Sequence, residues 1–379
     1  MLGAIEGPEA EVLPDDEVER ALATLGPREG RNRVGLQGRG REKDVVAFAR
    51  LEGHEVFPGY SWRERRDGAR ERCEHGVLCQ TAIEIQSAVG CPFDCAYCPY
   101  PSFVCVRLDV EAFVERVTAL VRESPQALWK LNNRTDTLGL EPEYGLAGQL
   151  IERFSRLDDK ILMLYTKGEA VDHLVGLEHR GRTVASFTLT PEPIAAVLEA
   201  GAPPPSARIE ALGRLARAGY PTRVRFSPIV PVKGYREVYR ELVGRLARVA
   251  SPELVTLWTL SMIDVEELGR IVPLASLDET ALAAARDAAG ALHGEKGSPF
   301  PPSIRCSIYR DIIDVIRDRL PTTRVSLCLE APEVWSELGP LVPRQDGGSF
   351  LCNCGPAATP EAVSLFQIRA AGRRATDRG

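Results

Sequence analysis

Cys91, Cys95 and Cys98 fall within eight residues, spaced C-x3-C-x2-C, in the stretch Gly90-Cys91-Pro92-Phe93-Asp94-Cys95-Ala96-Tyr97-Cys98-Pro99-Tyr100. Glycine and proline mark this stretch as a loop. Three thiolates this close suit three irons of a cubane 4Fe-4S cluster, with the fourth iron left open to a ligand that takes up an electron. Iron–sulfur clusters are held by cysteine thiolates at motif-specific spacings. A zinc site or a disulfide uses the same residue type. Structural zinc calls for four ligands, usually as two closely spaced pairs, and no second pair lies nearby in the sequence.

A second set of thiols lies toward the C-terminus. Cys352 and Cys354 flank Asn353 on a turn that ends Gly355-Pro356, and Cys306 and Cys328 precede them. Cysteines two apart rarely pair with each other. This set is expected either to ligate an auxiliary cluster or to be buried and inert. Cys73, His75 and Cys79 match no common zinc spacing. Polar side chains also gather where apolar runs end: Lys130, Asn132, Asn133, Arg134 and Asp136 after one, Lys167 after another. Ser186 and Thr188 alternate on one face of a third run, and Arg223 and Arg225 share a face of a fourth. Paired arginines on an inner strand are expected to meet an anion, and Lys167 a carboxylate or phosphate.

The elements that would position these residues are regular from Thr81 onward. Six β-rich runs appear: Thr81–Ser87, Ala127–Asn132, Ile161–Thr166, Thr183–Leu189, Thr222–Ile229 and Leu254–Ser261. Helix-period segments lie between most of them. In Asp109–Glu123 the period puts Val110, Phe113, Val114, Val117 and Leu120 on one face, with Asp109 as the cap. Strand–helix alternation predicts parallel strands joined by crossover helices. Six units are too few for a closed eightfold barrel. The expected class is α/β, a partial (β/α)6 TIM-like barrel whose chemistry sits at the C-terminal ends of its strands. The cysteine loop follows the first strand and lies at that end. The barrel pattern stops after Asp264, and helices are expected over Asp278–His293 and Ser303–Leu320.

The expected domains are therefore an N-terminal extension over 1–79, partly flexible and with a short helix near Asp15–Leu25, and the barrel over 80–265. A C-terminal extension with the second cysteine set follows over 266–372, then a basic tail over 373–379. The chain's 47 Lys and Arg against 53 Asp and Glu leave a formal charge of −6. That balance projects no global field toward nucleic acid or membrane. No apolar run approaches the roughly 18 residues of a bilayer span. The N-terminus lacks the basic-then-apolar pattern of a signal peptide. Ten cysteines in such a chain point to metal binding in a reducing cytoplasm.

The cysteine spacing, with an aromatic just before the last cysteine, resembles the radical S-adenosylmethionine (radical SAM) superfamily. That resemblance implies a 4Fe-4S cluster on Cys91, Cys95 and Cys98 whose open iron binds SAM. It implies reductive cleavage of SAM to a 5′-deoxyadenosyl radical that abstracts hydrogen from a substrate. Tyr97 is then a candidate both for catalysis and for binding the cofactor. A narrower likeness runs through Tyr165-Thr166-Lys167, Val171-Asp172-His173-Leu174, His179-Arg180-Gly181-Arg182-Thr183, Ser186, Arg208-Ile209-Glu210-Ala211, Ala218-Gly219-Tyr220-Pro221 and Ser227-Pro228-Ile229. These residues resemble the spore photoproduct lyase family over about residues 81–265. Carried over, Lys167 and Ser186 match positions that contact SAM, and Asp136 matches an acidic residue after the second strand.

The chain departs from that family in two places. Asn133 stands where the repair enzymes carry a cysteine that returns a hydrogen atom to the product radical, and Pro99 stands where they carry tyrosine. An amide N–H bond is too strong to replace a thiol as hydrogen donor. The leading expectation is therefore a radical SAM enzyme acting on a small anionic or nucleoside-like metabolite. Lys130, Asn132, Asn133, Arg134, Arg223 and Arg225 would face that substrate, and a flavodoxin or ferredoxin would donate the electron. Sulfur insertion from an auxiliary cluster on Cys306, Cys328, Cys352 and Cys354 would suit the missing thiol. Nucleic acid and membrane are not expected as partners. A DNA repair lyase and a non-catalytic cluster-carrying adaptor or redox sensor remain as alternatives.

Overall fold

The computed structural model describes residues 45–48, 56–58, 83–98, 104–107, 109–124, 126–261, 263–289, 298–342 and 351–355. Cys73, His75, Cys79, Pro99, the helix expected near Asp15–Leu25 and the basic tail lie outside the described residues. The strands are β1 (Val45–Phe48), β2 (Val56–Pro58), β3 (Ile83–Ile85), β4 (Ala88–Val89), β5 (Asp94–Cys95), β6 (Val104–Arg107), β7 (Leu128–Leu131), β8 (Ile161–Thr166), β9 (Thr183–Leu189), β10 (Glu199–Ala200), β11 (Thr222–Ile229), β12 (Leu254–Thr259) and β13 (Arg324–Leu327). The α-helices are α1 (Val110–Glu123), α2 (Leu146–Phe154), α3 (Asp172–Val175), α4 (Glu192–Leu198), α5 (Pro205–Arg217), α6 (Tyr235–Ala247), α7 (Val265–Ile271), α8 (Glu279–Asp287), α9 (Pro302–Arg319) and α10 (Pro332–Leu338).

The main sheet runs β13-β12-β11-β9-β8-β7-β3-β2. Neighbours pair in parallel throughout except β2, which runs antiparallel to β3 at one edge. Parallel strands need crossovers and are covered on both faces, so their sequences read as continuous apolar runs. Every residue of β9 and β11 is accordingly buried. The α/β partial barrel expected from the six runs is the observed architecture. It continues past Asp264, because α9 serves as one more crossover and β13 pairs in parallel with β12. A strand of four residues that begins with the exposed Arg324 gives too short an apolar run to announce itself.

Helix α1 corrects two expectations. Val121 is fully buried, whereas Leu120 is 46% exposed, so the apolar stripe continues through 117 and 121. Asp109 occupies the N-cap position without a side-chain cap bond. It pairs instead with Arg116 at 3.0 Å, one favourable contact in place of another.

A small apolar cluster of Leu128, Ile161, Met163 and Val184 lies at the beginnings of β7, β8 and β9, and Cys354 packs on it. Residues 351–355 therefore reach the barrel interior from the end opposite the cysteine loop.

Candidate active site

The cysteine loop is held against the rest of the barrel by backbone. Its β5 pairs antiparallel with β10, placing Cys95 opposite Glu199 and Asp94 opposite Ala200. Ala96 N donates to Leu198 O at 2.8 Å, and Cys98 N donates to Cys95 O at 2.9 Å. The loop after β7 touches it from the other side. A Cβ on Gly139 would stand 2.7 Å from Pro92 Cγ and 3.4 Å from Phe93 Cζ, so only glycine lets the two loops approach this closely.

Cys91, Cys95 and Cys98 are in the thiol form. Burial pushes Cys95 up to about 12, with Glu199 and Cys98 opposing its ionisation and Lys167 favouring it. Burial likewise raises Cys91, aided by Asp136 and Cys98. As bare side chains Cys91 and Cys95 stay neutral, and bound cations are what would hold them as thiolates. Among the described residues no trio of His, Cys, Asp or Glu is gathered at the spacing of a single ion. A cubane places its thiolates on separate irons, and this all-sulfur donor set suits that group.

Asp136 and Lys167 come together beside this loop, as their sequence positions predicted. Asp136 is 9% exposed. Its Oδ1 accepts from Thr166 Oγ1 at 2.6 Å and Leu138 N at 2.9 Å, and Oδ2 accepts from Lys167 N at 2.5 Å. Burial raises its carboxyl despite these donors. Three of its roughly four acceptor sites are thus used within the chain. Lys167 Nζ lies 4.0 Å from Glu199 Oε1 and 5.5 Å from the centre of the Tyr97 ring. Burial would lower its ammonium, but Glu199 and Cys95 outweigh that and raise it.

Glu199 and Arg208 complete this pocket; Glu199 was not singled out from sequence, and Arg208 only as part of a run that carries the family likeness, with no site role. Tyr97 Oη donates to Glu199 Oε1 at 2.7 Å, and Thr190 Oγ1 donates to the same oxygen at 2.9 Å. Arg208 Nη1 stands 2.6 Å from Glu199 Oε2, both side chains fully buried. Burial disfavours the Glu199 carboxylate, yet Lys167 and Arg208 hold it below its usual range. One signal for Arg208 was available. It lies on the same helical stripe as the buried Leu212 and Leu215, and a cation on an apolar stripe requires a buried partner.

The remaining candidates divide. Lys130 and Arg225 enter the barrel interior and both lie against Tyr165, at 4.2 and 4.8 Å from its ring centre, and Arg225 also lies 5.6 Å from that of Trp258. Lys130 donates to Asn133 Oδ1. Arg225 Nη2 reaches Cys328 Sγ at 3.6 Å. Arg223 meets an anion, as expected of it, but that anion is Glu253 at 2.7 Å. It also donates to the carbonyls of Asn353 and Gly355, so it clamps the C-terminal segment. Ser186 Oγ donates to Asn353 Oδ1 at 3.0 Å. Asn132 sits at φ 55° and accepts from Ser87 N at 2.9 Å and Ser87 Oγ at 3.1 Å, which locks the exit of β3. Arg134 is half-buried in the turn after β7.

Cys328, Cys352 and Cys354 all belong to the C-terminal third, and Arg225, which reaches Cys328, also favours the Cys354 thiolate. A hydrogen bond from Cys352 lowers Cys354 to about 5, helped by Lys130, Arg225 and Arg223. Cys306 is apart from them on α9, where burial and a bond with Glu337 raise it to about 12. The His179 and Tyr220 segments prove to pack together, with rings stacked at 3.7 Å.

Residues 80–266 match the family model of spore photoproduct lyase. Spore photoproduct lyase of Bacillus subtilis (strain 168) is 28% identical over 170 residues, 43% of this chain and 50% of that protein. The Geobacillus sp. (strain Y412MC61) protein of the same name is 29% identical over 174 residues, with the same shares. The chain thus spans about half the length of the curated relatives it matches. A solved spore photoproduct lyase variant with bound AdoMet and dinucleoside spore photoproduct superposes with a TM-score of 0.55 at 19% identity, covering 82% of this chain and 93% of that one. A second solved complex with the dinucleoside photoproduct gives 0.55 at 18%, covering 77% and 87%. At that identity the likeness is one of fold.

These relatives correct the expectation that nucleic acid is not a partner, since they are photoproduct lyases and two were solved with a dinucleoside lesion. The expectation rested on whole-chain charge and on Asn133. Net charge says little about a site whose own lining carries Lys130 and Arg225. No described helix is long and apolar enough to cross a membrane.

Proposed function

With residues 80–266 a spore photoproduct lyase-like domain of the radical SAM superfamily, we propose that this protein is a radical SAM lyase acting on a dinucleotide lesion of nucleic acid. Cys91, Cys95 and Cys98 would hold the 4Fe-4S cluster, and Asp136, Lys167 and Tyr97 would shape the adjoining pocket for S-adenosylmethionine. When bound, cluster and S-adenosylmethionine supply a 5′-deoxyadenosyl radical for hydrogen abstraction.

The chain's own residues supply placement. Asp136 ties the loops after β7 and β8 together through Lys167 N and Thr166. The Lys167 ammonium stays charged among Glu199, Cys95 and Asp136. In the interior, Lys130 and Arg225 place two buried cations against the ring of Tyr165. Among the described residues neither has a carboxylate partner. Cations beside an aromatic ring suit a nucleobase and its phosphodiester.

The observation that carries this reading is the convergence of the cysteine loop with Asp136, Lys167 and Glu199 at one end of the parallel sheet. It is tested by anaerobic reconstitution, followed by dithionite, S-adenosylmethionine and an oligonucleotide bearing the thymine photoproduct. Cleavage of the lesion, with 5′-deoxyadenosine formation lost in Cys95→Ala, is expected when dithiothreitol is added as the hydrogen-atom donor that Asn133 cannot be. A cluster-bearing protein that forms no 5′-deoxyadenosine would make it an adaptor. One that forms it but leaves the lesion intact would refute the substrate.

A further inference from the structure

We infer that Glu199 is a positioning residue that fixes the attitude of the cysteine loop and sets how readily the group bound there accepts an electron. This rests on the reading that Cys91, Cys95 and Cys98 hold an iron–sulfur cluster, and it assigns work to a residue outside the cysteine motif.

Glu199 grips the loop twice. Its backbone lies in register with Cys95, and its carboxylate accepts from Tyr97 Oη at 2.7 Å. The same carboxylate is fully buried against Lys167 and Arg208. The pocket beside the cysteines therefore contains two cations, Lys167 and Arg208, and two carboxylates, Glu199 and Asp136. Removing the charge of Glu199 leaves a net positive charge there. Buried charges are weakly screened, so an added electron is then stabilised. Removing Arg208 does the opposite. A residue that merely held the fold would not move the potential with opposite signs in these two variants.

The test uses the full chain, reconstituted anaerobically as wild type, Glu199→Gln, Glu199→Asp, Thr190→Val and Arg208→Met. Iron and sulfide are counted first, and the one-electron midpoint is then followed by electron paramagnetic resonance. At the wild-type midpoint, Glu199→Gln is expected to be at least ~10-fold more reduced than oxidised, which is ~59 mV for one electron. Glu199→Asp restores the wild-type midpoint, and Thr190→Val, which deletes only a neutral donor, leaves it in place. Arg208→Met shifts it negative. Glu199→Gln carrying a full cluster at the wild-type midpoint would overturn the inference. Where Glu199→Gln fails to fold or load, Arg208→Met decides by its sign, and an unchanged or positive shift would overturn it. Wild type that loads no cluster at all would refute the reading of the cysteine loop itself.

Discussion

Asp136 and Lys167 are joined across two loops, the Lys167 N–H donating to Asp136 Oδ2 at 2.5 Å while Thr166 Oγ1 donates to Oδ1 at 2.6 Å. Both residues stand where strands end, and the bond makes one wall of two loops. Asp136→Asn places an NH2 group against one of these donors. An unsatisfied buried donor costs about 1–3 kcal/mol. Asp136→Asn should therefore unfold a few degrees earlier in calorimetry. It should also form 5′-deoxyadenosine at least ~10-fold more slowly, since 1.4 kcal/mol of misplacement is already a factor of ten. Wild-type melting and turnover would show that Asp136 is dispensable to the wall.

Gly139 is the contact point between that wall and the cysteine loop. Gly139→Ala brings a Cβ to 2.7 Å of Pro92 Cγ, a separation that requires one loop to shift. The expected result is a protein with wild-type far-ultraviolet circular dichroism and reduced iron content after reconstitution. Full iron loading in Gly139→Ala would show that the loop yields without cost.

The barrel was legible because parallel strands buried on both faces leave long apolar runs, as in β8 and β11. The cysteine motif, Asp136 and Lys167 were legible because each stands at a strand end. Glu199 was not. It follows the short helix α4 and meets Tyr97 across 102 residues of sequence, and no local spacing records that meeting. Asn132 and Arg223 looked like substrate groups because they are polar in an apolar run, and Ser186 like a cofactor group because it matches a family position. Each instead satisfies another part of the chain: Ser87, Asn353, or Glu253 with the 353–355 carbonyls. Polarity at a strand signals a buried partner and leaves open whether that partner is a ligand or the protein.

Cys354 gives the protein a pH dependence of known sign. Its thiol is held at about 5, first by the bond from Cys352 and then by Lys130, Arg225 and Arg223. A group whose folded pKa is depressed stabilises fully above its unfolded pKa, and the stabilisation is lost as pH falls through the folded value. Denaturant midpoints should rise between about pH 5 and the ordinary thiol range near 8.5, and this rise should be smaller in Cys354→Ser. Cys352→Ala should move the thiolate absorbance of Cys354 to higher pH. A Cys354 that titrates like an ordinary thiol would refute the S–H···S bond.

Arg225 and Lys130 allow charge to be told from stacking in the lesion recognition proposed for this protein. If both cations neutralise the phosphodiester of the bound dinucleotide, removing one weakens binding and flattens its salt dependence. On single strands each phosphate contact contributes about 0.7 to the slope of log K against log salt. Arg225→Met and Lys130→Met should therefore each bind a photoproduct-bearing oligonucleotide more weakly, with a slope shallower by up to about 0.7. Arg225→Lys keeps the charge but gives up the planar contact with Tyr165 and Trp258. It should keep the wild-type slope and lose affinity, because guanidinium stacking has no ammonium equivalent. An Arg225→Met protein with wild-type slope and reduced affinity would assign this residue to the base rather than to the phosphate. Wild-type affinity in both methionine variants would remove the two cations from the substrate site altogether.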